Sequence, residues 1–206
     1  MNPSLSESVR LYGIPYVREI TTTIAAGPTL ETKPNILSAL KQKGITTVVD
    51  FRGGAQPLIE NVCNQTGLNY FQIDFNHAIS SGKNAIPAPK NFAEQLRQFF
   101  RIMDKGHAYI GCQYGVHRTN AALLFNYILN NSGERKYNIP TMLRLDSDGN
   151  INNIINILVR KAWKVIKAMT PSEKTSFGIS GTESEIFRKF IYKTAGEIKR
   201  HAKNFI

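Results

Sequence analysis

Short apolar runs that favour β-strands alternate with runs that favour helices over the first two thirds of the chain. The predicted strands are rich in β-branched and aromatic residues and cover Tyr16–Ile24, Ile45–Phe51, Asn69–Asp74 and His107–Gly111. The predicted helices are bounded by proline or glycine, or carry an apolar stripe, and cover Asn35–Lys43, Pro57–Thr66, Pro89–Met103 and Thr119–Asn130. This alternation is typical of an α/β fold, and we expect a central mixed, mostly parallel sheet flanked by helices.

The last third of the chain has a different pattern, which predicts a C-terminal helical extension. Apolar residues recur at helical spacing from Ile151 to Met169, Thr170–Ser172 is expected to end that helix, and Thr182–Asn204 predicts a last basic helix. Two segments rich in turn-forming residues predict loops at Phe75–Pro87 and Ile139–Asn150.

The composition is that of a folded domain with an excess of positive charge. The 206 residues are 42% apolar, which is enough to bury a core and excludes a disordered chain. We expect one domain over residues 1–206, with its core at 13–133 and a mostly helical part at 134–206. The formal charge is +11, and residues 151–206 hold 11 basic and 4 acidic side chains. This excess makes an anionic membrane surface a candidate partner of the C-terminal part, although solubility explains the charge equally well. No obligate partner is inferred.

The cysteines and the N-terminus bear on the cellular compartment. Cys63 and Cys112 are too few for a disulfide framework. No apolar run approaches the roughly 18 residues that span a bilayer, and Met1–Gly13 lacks the apolar stretch of a secretory signal. We expect the cytoplasm or another reducing compartment, with export by an unrecognised signal left open.

One segment, Tyr109–Asn120, combines the features of an anion site in the sequence YIGCQYGVHRTN. A predicted strand ends before Cys112, Gly115 lets the chain bend sharply, and Arg118 comes at the start of an apolar helix. Backbone N–H groups in a tight loop and at a helix N-terminus bind anions, and a guanidinium binds two phosphate oxygens at once. The same groups favour a thiolate, so we expect Cys112 to have a lowered pKa and to attack phosphorus, forming a cysteinyl-phosphate.

These residues resemble the signature of the cysteine-based phosphatase superfamily, the tyrosine and dual-specificity phosphatases, which is Cys-x5-Arg followed by Ser or Thr. Cys112, Gly115, Arg118 and Thr119 occupy matching positions, and Leu40–Arg52 resembles the family's helix–Gly–strand segment ending in Asp-x-Arg. The resemblance implies a protein tyrosine phosphatase-like fold and a phosphatase that needs no metal and no cofactor and acts on a phosphorylated substrate.

The resemblance also implies a role for each residue of the loop. Cys112 is the expected nucleophile, Arg118 binds the phosphoryl oxygens, and Thr119 donates to the cysteine sulfur. The residues expected to bind the substrate are Gln113, Tyr114, Gly115, Val116, His117 and Arg118.

In this family an aspartic acid on a mobile loop protonates the leaving oxygen. Asp74 is the one acidic residue between Glu60 and Glu94, and it precedes a long turn-rich loop, as a movable acid should. We therefore expect Asp74 to be the general acid. The alternatives are that it only caps the strand end, or that His77 donates the proton.

Two positions depart from the family pattern. Gly111 stands where the family has a histidine that helps to order the loop, and Asn120 stands where glycine is usual. We therefore expect the pKa of Cys112 to be higher than in typical members, with slower turnover or none.

The expected function is a dual-specificity-type phosphatase with a shallow site, because the chain is short and lacks the recognition loop of tyrosine-only enzymes. One alternative is an inositol phosphate or phosphoinositide phosphatase, although the loop has no lysine. A second is an RNA 5′-triphosphatase, which suits the basic charge but usually requires stacking aromatics. A third is a phosphate-binding pseudophosphatase, motivated by Gly111 and Asn120.

Outside the loop, the sequence favours structural roles. Asp50 and Arg52 are expected to form a hydrogen-bonded pair beneath the loop, and Trp163 to pack in the core. Cys63 is expected to be a small apolar residue of a helix, and a protective disulfide with Cys112 is the alternative.

Overall fold

The computed structural model describes residues 14, 17–30, 34–76, 89–129, 160, 163–164, 166–167, 169–177 and 179–186. The strands are β1 Arg18–Thr21, β2 Ile24–Pro28, β3 Thr47–Asp50, β4 Asn69–Gln72 and β5 Ala108–Cys112. The helices with described bounds are α1 Pro34–Gln42, α2 Pro57–Thr66, α3 Phe92–Lys105, α4 His117–Leu129, α5 Pro171–Ser176 and α6 Glu183–Ile186. None of the helices within this part of the chain is long and apolar enough to cross a bilayer.

The five strands form one sheet in the order β1-β2-β5-β3-β4. β1 runs antiparallel to β2, whereas each of the other neighbouring pairs is parallel. β5 lies in the centre, so Cys112 at its carboxyl end is flanked by the ends of β2 and β3. The expected α/β fold with a mixed, mostly parallel sheet flanked by helices is confirmed.

Alternation along the strands divides the apolar side chains between the two faces of the sheet. The first core packs α3 and α4 on one face and includes Phe51, Phe75, Phe99, Ile110, Cys112 and Phe125. The second core packs α1 and α2 on the other face and includes Leu37, Leu40, Ile59, Cys63 and Tyr109. Burial of each large apolar side chain stabilises the fold by about 1.5–3 kcal/mol. The Cys112 side chain therefore belongs to the face that carries α4.

The run Tyr16–Ile24 is not the single strand that its β-branched residues predict. The chain turns at Thr22–Thr23, where the Thr21 hydroxyl accepts a hydrogen bond of 3.2 Å from the backbone N–H two residues later. The second strand, β2, extends beyond the predicted Ile24 and ends at Gly27 and Pro28. The prediction was wrong because a hydroxyl that binds nearby backbone favours a turn in a sequence whose side chains favour a strand.

Proline and glycine mark the ends of α1 and α2 as predicted. Each helix begins at a proline, and the glycines that follow, Gly44 and Gly67, have φ values of 87° and 69°. This left-handed conformation costs other residues roughly 1–2 kcal/mol. Strands β3, β4 and β5 and helix α3 also lie close to their predicted bounds.

Part of the C-terminal extension packs on the first core. The buried residues of this part are Ile166, Met169, Phe177, Ile179 and Ile186, and the half-buried Trp163 packs against them. The chain thus places residues from both ends of the sequence in one core.

The segment Thr170–Ser172 does more than end a helix. The Thr170 hydroxyl accepts a hydrogen bond of 3.2 Å from the Glu173 backbone N–H, and the Glu173 carboxylate accepts one of 2.7 Å from the Thr170 backbone. This capping box begins α5. The Ile139–Asn150 connection, most of the Ile151–Met169 stripe, and the Thr182–Asn204 helix beyond Ile186 lie outside the described residues.

Candidate active site

The Cys112 loop, residues 112–119, connects the end of β5 to the first turn of α4. The Gly115 N–H donates to the Cys112 carbonyl at 3.0 Å, and a φ of 68° at Gly115 turns the chain sharply. The strand includes Cys112 rather than ending at Gly111, and the helix begins at His117 rather than at Thr119. Both differences shorten the loop and bring the first helical turn next to the cysteine.

The Cys112 sulfur lies at the floor of this loop and is surrounded by hydrogen-bond donors. The Thr119 hydroxyl donates to the sulfur at 3.3 Å, and both side chains are buried. Burial by itself raises the pKa of the Cys112 thiol. Hydrogen bonds from the Thr119 hydroxyl and from the backbone N–H groups of Thr119, Tyr114 and Gly115 outweigh it, so the pKa lies below its ordinary value.

Three glycines allow β2 to approach the loop closely. A Cβ at Gly111 would lie 2.5 Å from the Gly27 carbonyl oxygen, and one at Gly115 would lie 2.6 Å from the Pro28 nitrogen. A Cβ at Gly27 would in turn overlap the Tyr109 hydroxyl, which donates to the Pro28 carbonyl at 2.7 Å. The departure at Gly111 therefore has a steric reason, since no side chain fits there.

Asn120, the second departure from the family pattern, has a hydrogen-bond partner that the sequence did not predict. Asn120 is buried in the first turn of α4, and its side-chain oxygen accepts a hydrogen bond of 2.6 Å from Arg18. The same guanidinium donates to the Gly115 carbonyl at 2.9 Å. Arg18 lies in β1, far from the loop in sequence. The sequence feature that could have indicated its role is a charged residue within a run of β-branched residues.

Arg118 points towards the segment that follows β4. Its Nε donates to the Asn76 side-chain oxygen at 2.7 Å, and both residues are partly buried. The loop predicted at Phe75–Pro87 therefore starts in contact with the Cys112 loop. His77 and the rest of that loop lie outside the described residues.

Asp74 and Asn76 are held in place by the buried phenylalanine between them. The Phe75 ring makes edge contacts with the rings of Phe51 and Phe92 at 5.3 Å and with Phe125 at 5.6 Å. Ring pairs of this kind contribute roughly 0.5–1.5 kcal/mol each. The neighbouring side chains therefore lie at the carboxyl end of the sheet.

The Asp74 carboxylate has a local partner in this arrangement. Its Oδ1 accepts a hydrogen bond of 2.7 Å from the Asn76 backbone N–H, which is an Asx turn. Both side chains lie against Gly53, where a Cβ would overlap them. Asp74 is thus linked to Arg118 through Asn76.

The rim of the Cys112 loop is open to solvent within the described part of the chain. Gln113 and His117 are exposed and 65% of Tyr114 is exposed, whereas Gly115 and Val116 are buried. The six residues expected to bind substrate therefore divide into an exposed rim, a buried inner side, and the partly buried Arg118.

The buried pair beneath the loop is confirmed. Both Asp50 oxygens accept hydrogen bonds of 2.7–3.0 Å from Arg52, and the Tyr70 hydroxyl donates to Asp50 at 3.3 Å. Burial, followed by the charge of Asp50, raises the pKa of Tyr70. The Phe51 N–H donates to the Gly111 carbonyl at 2.8 Å, which ties this strand end to the loop.

The alternative of a disulfide between the two cysteines is wrong for this structure, in which both are free. Cys63 lies in the second core and Cys112 in the first, on opposite faces of the sheet. Burial, followed by the charges of Asp50 and Glu60, raises the pKa of Cys63 to about 11. Cys63 is a small buried residue of α2, as expected.

The fold is similar to solved structures. A DUF442 protein from Shewanella putrefaciens CN-32, assigned as a phosphatase, is 17% identical, with a TM-score of 0.50 over 75% of this chain and 94% of that one. TpbA from P. aeruginosa is 12% identical, with a TM-score of 0.49 over 81% and 92% of the two chains. The core catalytic domain of the PP-IP phosphatase SIW14 from S. cerevisiae is 14% identical, with a TM-score of 0.40 over 87% and 93%.

The first of these structures confirms that this chain has the expected α/β fold. No protein-family profile matches the sequence, and no curated protein sequence matches it either.

Proposed function

We propose that the protein is a metal-independent phosphatase that hydrolyses phosphomonoesters through a cysteinyl-phosphate intermediate on Cys112. The observation that carries the proposal is the buried Cys112 sulfur in the loop before α4, which accepts a hydrogen bond of 3.3 Å from the Thr119 hydroxyl. This bond and the backbone N–H groups of the loop lower the pKa of the thiol despite its burial. A thiolate so placed is both a nucleophile and a good leaving group. The fixed N–H dipoles and Arg118 supply the positive charge that the transferring phosphoryl group requires.

The substrate phosphoryl group binds in the Cys112 loop. Arg118 uses its Nε for Asn76, which leaves the two Nη groups to bind phosphoryl oxygens. The backbone N–H groups of the loop and the N-terminus of α4 bind the remaining oxygens. Asn76 therefore keeps the guanidinium oriented before the substrate arrives.

The chemistry takes two steps. The Cys112 thiolate attacks phosphorus, so that a P–S bond forms while the P–O bond to the leaving group breaks, and the general acid protonates the leaving oxygen. Water then attacks the cysteinyl-phosphate and gives its proton to the same acid, now a carboxylate. The thiolate leaves with the electron pair of the P–S bond, stabilised by Thr119, and inorganic phosphate is released.

We assign the general acid to Asp74. It follows β4 at the carboxyl end of the sheet, and it is joined to Arg118 through Asn76. Its Oδ1 accepts a hydrogen bond of 2.7 Å from the Asn76 backbone N–H, which orients the carboxyl group. His77 is the second candidate for this role.

The exposed rim formed by Gln113, Tyr114 and His117 favours a shallow site of the dual-specificity type. A shallow site accepts phosphoserine and phosphothreonine as well as phosphotyrosine, because the phosphorus need not lie at the end of a long aromatic side chain.

The test is hydrolysis of a small aryl phosphate with a chelator present. We expect turnover by the wild-type protein and by Cys63→Ala, which removes the other cysteine. Cys112→Ser should fall to the background rate while still binding vanadate. Arg118→Lys should lower kcat/KM on the order of 10²–10³-fold, because a lysine keeps the charge but loses the planar fork.

Two results would contradict the proposal. Normal turnover by Cys112→Ser would exclude the cysteinyl-phosphate. Absence of wild-type turnover with vanadate binding retained would favour a phosphate-binding pseudophosphatase. Phosphopeptides, inositol phosphates and triphosphorylated RNA assayed side by side then rank the substrate classes, and we expect phosphopeptides to have the highest kcat/KM.

A further inference from the structure

We propose that Arg18 is a positioning residue of the Cys112 loop, which holds the Gly115 carbonyl and the Asn120 side chain together and so sets the direction of the backbone N–H groups that receive the phosphoryl group. The inference rests on the proposed function, since it concerns the orientation of groups that bind the substrate. Arg18 itself acts through the loop and does not touch the reacting atoms.

The Arg18 guanidinium joins the bend of the loop to the first turn of α4. One terminal nitrogen of Arg18 donates to the Gly115 carbonyl at 2.9 Å and the other donates to Asn120 Oδ1 at 2.6 Å. Gly115 lies in the bend of the loop, and Asn120 lies in the first turn of α4, where its N–H donates to the Val116 carbonyl at 2.8 Å. A planar guanidinium that binds both acceptors fixes their separation, which a lysine cannot do.

The hydrogen bond to Gly115 also orients the next N–H group. The Gly115 carbonyl and the Val116 N–H belong to one planar trans peptide unit and point in opposite directions. Because the Gly115 carbonyl points towards Arg18 and accepts its hydrogen bond, the Val116 N–H points away from Arg18. Within the described residues this N–H donates to no protein group, so it remains available for an anion in the loop.

Two glycines near the bend contribute no side chain to hold it. Gly111 has no side chain to offer, and a Cβ there would lie 2.5 Å from the Gly27 carbonyl oxygen. Gly115 contributes only its backbone, and its φ of 68° is a conformation that a substituted residue rarely adopts. The long side chain of Arg18 reaches past β2 from the outer strand β1 and contacts this bend.

The test is the variant Arg18→Met, which keeps an unbranched side chain and removes both hydrogen bonds. The first readout is the pH midpoint for alkylation of Cys112 by iodoacetamide, followed by peptide mass spectrometry so that Cys63 is counted separately. The second is kcat/KM for an aryl phosphate. We expect the midpoint to rise and kcat/KM to fall on the order of ten- to a hundred-fold, since misdirected N–H groups stabilise neither the thiolate nor the transition state.

Arg97→Met is the matched control. Arg97 is also partly buried and also joins two partners, Glu94 and Ser176, but it lies on α3. This variant loses comparable hydrogen bonds, and we expect it to leave the alkylation midpoint and kcat/KM unchanged. The control separates a general loss of stability from an effect on the loop.

Two further variants keep the proposal testable if Arg18→Met does not fold. Arg18→Lys keeps the charge but loses the planar fork that fixes the separation of the two acceptors, and Asn120→Ala removes one acceptor. Each should shift the midpoint in the same direction by a smaller amount. In the double variant Arg18→Met/Asn120→Ala the shift should be no larger than in Arg18→Met alone, because the two side chains act as one unit.

The proposal is overturned if these variants keep the alkylation midpoint and kcat/KM of Arg97→Met. Its failure is distinguishable from failure of the proposed function. If the wild-type protein is inactive but the alkylation midpoint of Cys112 still shifts on Arg18 substitution, the positioning role stands and the proposed enzymatic function fails. If the wild-type protein is active but Arg18 substitution changes neither the alkylation midpoint nor kcat/KM, the enzymatic function stands and the positioning role fails.

Discussion

At the scale of single residues, the donors around the Cys112 sulfur decide what the thiol can do. Burial disfavours the thiolate, yet the Thr119 hydroxyl and three backbone N–H groups lower the pKa below its ordinary value. Cys63 is equally buried without such donors, and its pKa rises to about 11. The pKa values of the two cysteines thus differ because hydrogen-bond donors surround the Cys112 sulfur, whereas burial and the charges of Asp50 and Glu60 act on Cys63.

Removing the Thr119 hydroxyl should move the pH profile in a defined direction. A lowered pKa makes the thiolate available at lower pH, so Thr119→Val raises the pKa and shifts the acid limb of kcat/KM to higher pH. We expect kcat near neutral pH to fall on the order of ten-fold, since a hydrogen bond to a charged group contributes about 1.5–3 kcal/mol. Thr119→Ser keeps the hydroxyl and should retain the wild-type profile, and an unshifted limb in Thr119→Val would contradict this role.

Asp74→Asn tests the general acid. We expect kcat to fall by roughly 10²–10⁴-fold and the decline in rate on the basic side of the pH profile to disappear, because an amide cannot donate the proton. The loss should be smaller for an aryl phosphate with an acidic leaving group, which needs little protonation. A profile identical to that of the wild-type protein would move the assignment to His77 or to water.

At the scale of elements, the contact between β2 and the loop explains why this sequence departs from the pattern of the superfamily it resembles. β2 pairs with β5 so that Gly27 lies opposite Gly111. The bend at Gly115 packs on the same backbone, with a hypothetical Cβ 2.5 Å from the Gly27 carbonyl oxygen. A side chain at position 111 would thus meet the β2 backbone. Arg18 of β1 and Asn120 of α4 hydrogen-bond to the backbone of the loop.

Gly111→Ala should disturb both the fold and the site. The added Cβ meets the Gly27 carbonyl, and overpacking of this kind costs about 1–3 kcal/mol in the free energy of unfolding. We expect a lower midpoint in urea denaturation and a higher pH midpoint for Cys112 alkylation.

The control for this variant is Gly54→Ala, whose Cβ meets no atom within 4 Å but whose φ is 74°. It should lose roughly 1–2 kcal/mol of stability from backbone strain and keep the alkylation midpoint. Equal effects of the two glycine variants on Cys112 would show that the contact with β2 does not shape the loop.

The sequence predicts elements well where one local signal dominates. Pro57 and Gly67 bound α2 as expected, and the apolar stripe from Phe92 to Met103 is a helix. The β1–β2 hairpin was missed because strand-favouring side chains and the Thr21 hydroxyl compete over the same few residues. Helix α4 begins at His117, two residues before the predicted Thr119.

At the scale of the whole molecule, the sheet separates two cores and places the candidate active site at the carboxyl ends of its parallel strands. Cys112 faces the first core with α4, whereas Cys63 and Asp50 belong to the side that carries α2. Phe177 of the C-terminal part packs its ring on Phe100 at 5.8 Å. This part therefore stabilises the helical layer behind the loop, and the basic residues beyond Ile186 lie outside the described residues.

The linear chain alone determined the fold class, most helix and strand positions, and the spacing of Cys112, Arg118 and Thr119, because each depends on residues close together in sequence. Only the tertiary structure decided three contacts. Arg18 hydrogen-bonds to the loop, Asn76 accepts a hydrogen bond from the Arg118 guanidinium, and Gly27 leaves no room for a side chain at Gly111. Those contacts join residues 42 to 102 positions apart, and no local pattern encodes them. They arise where strand order, register and side-chain length bring segments that are distant in sequence to the carboxyl ends of the parallel strands.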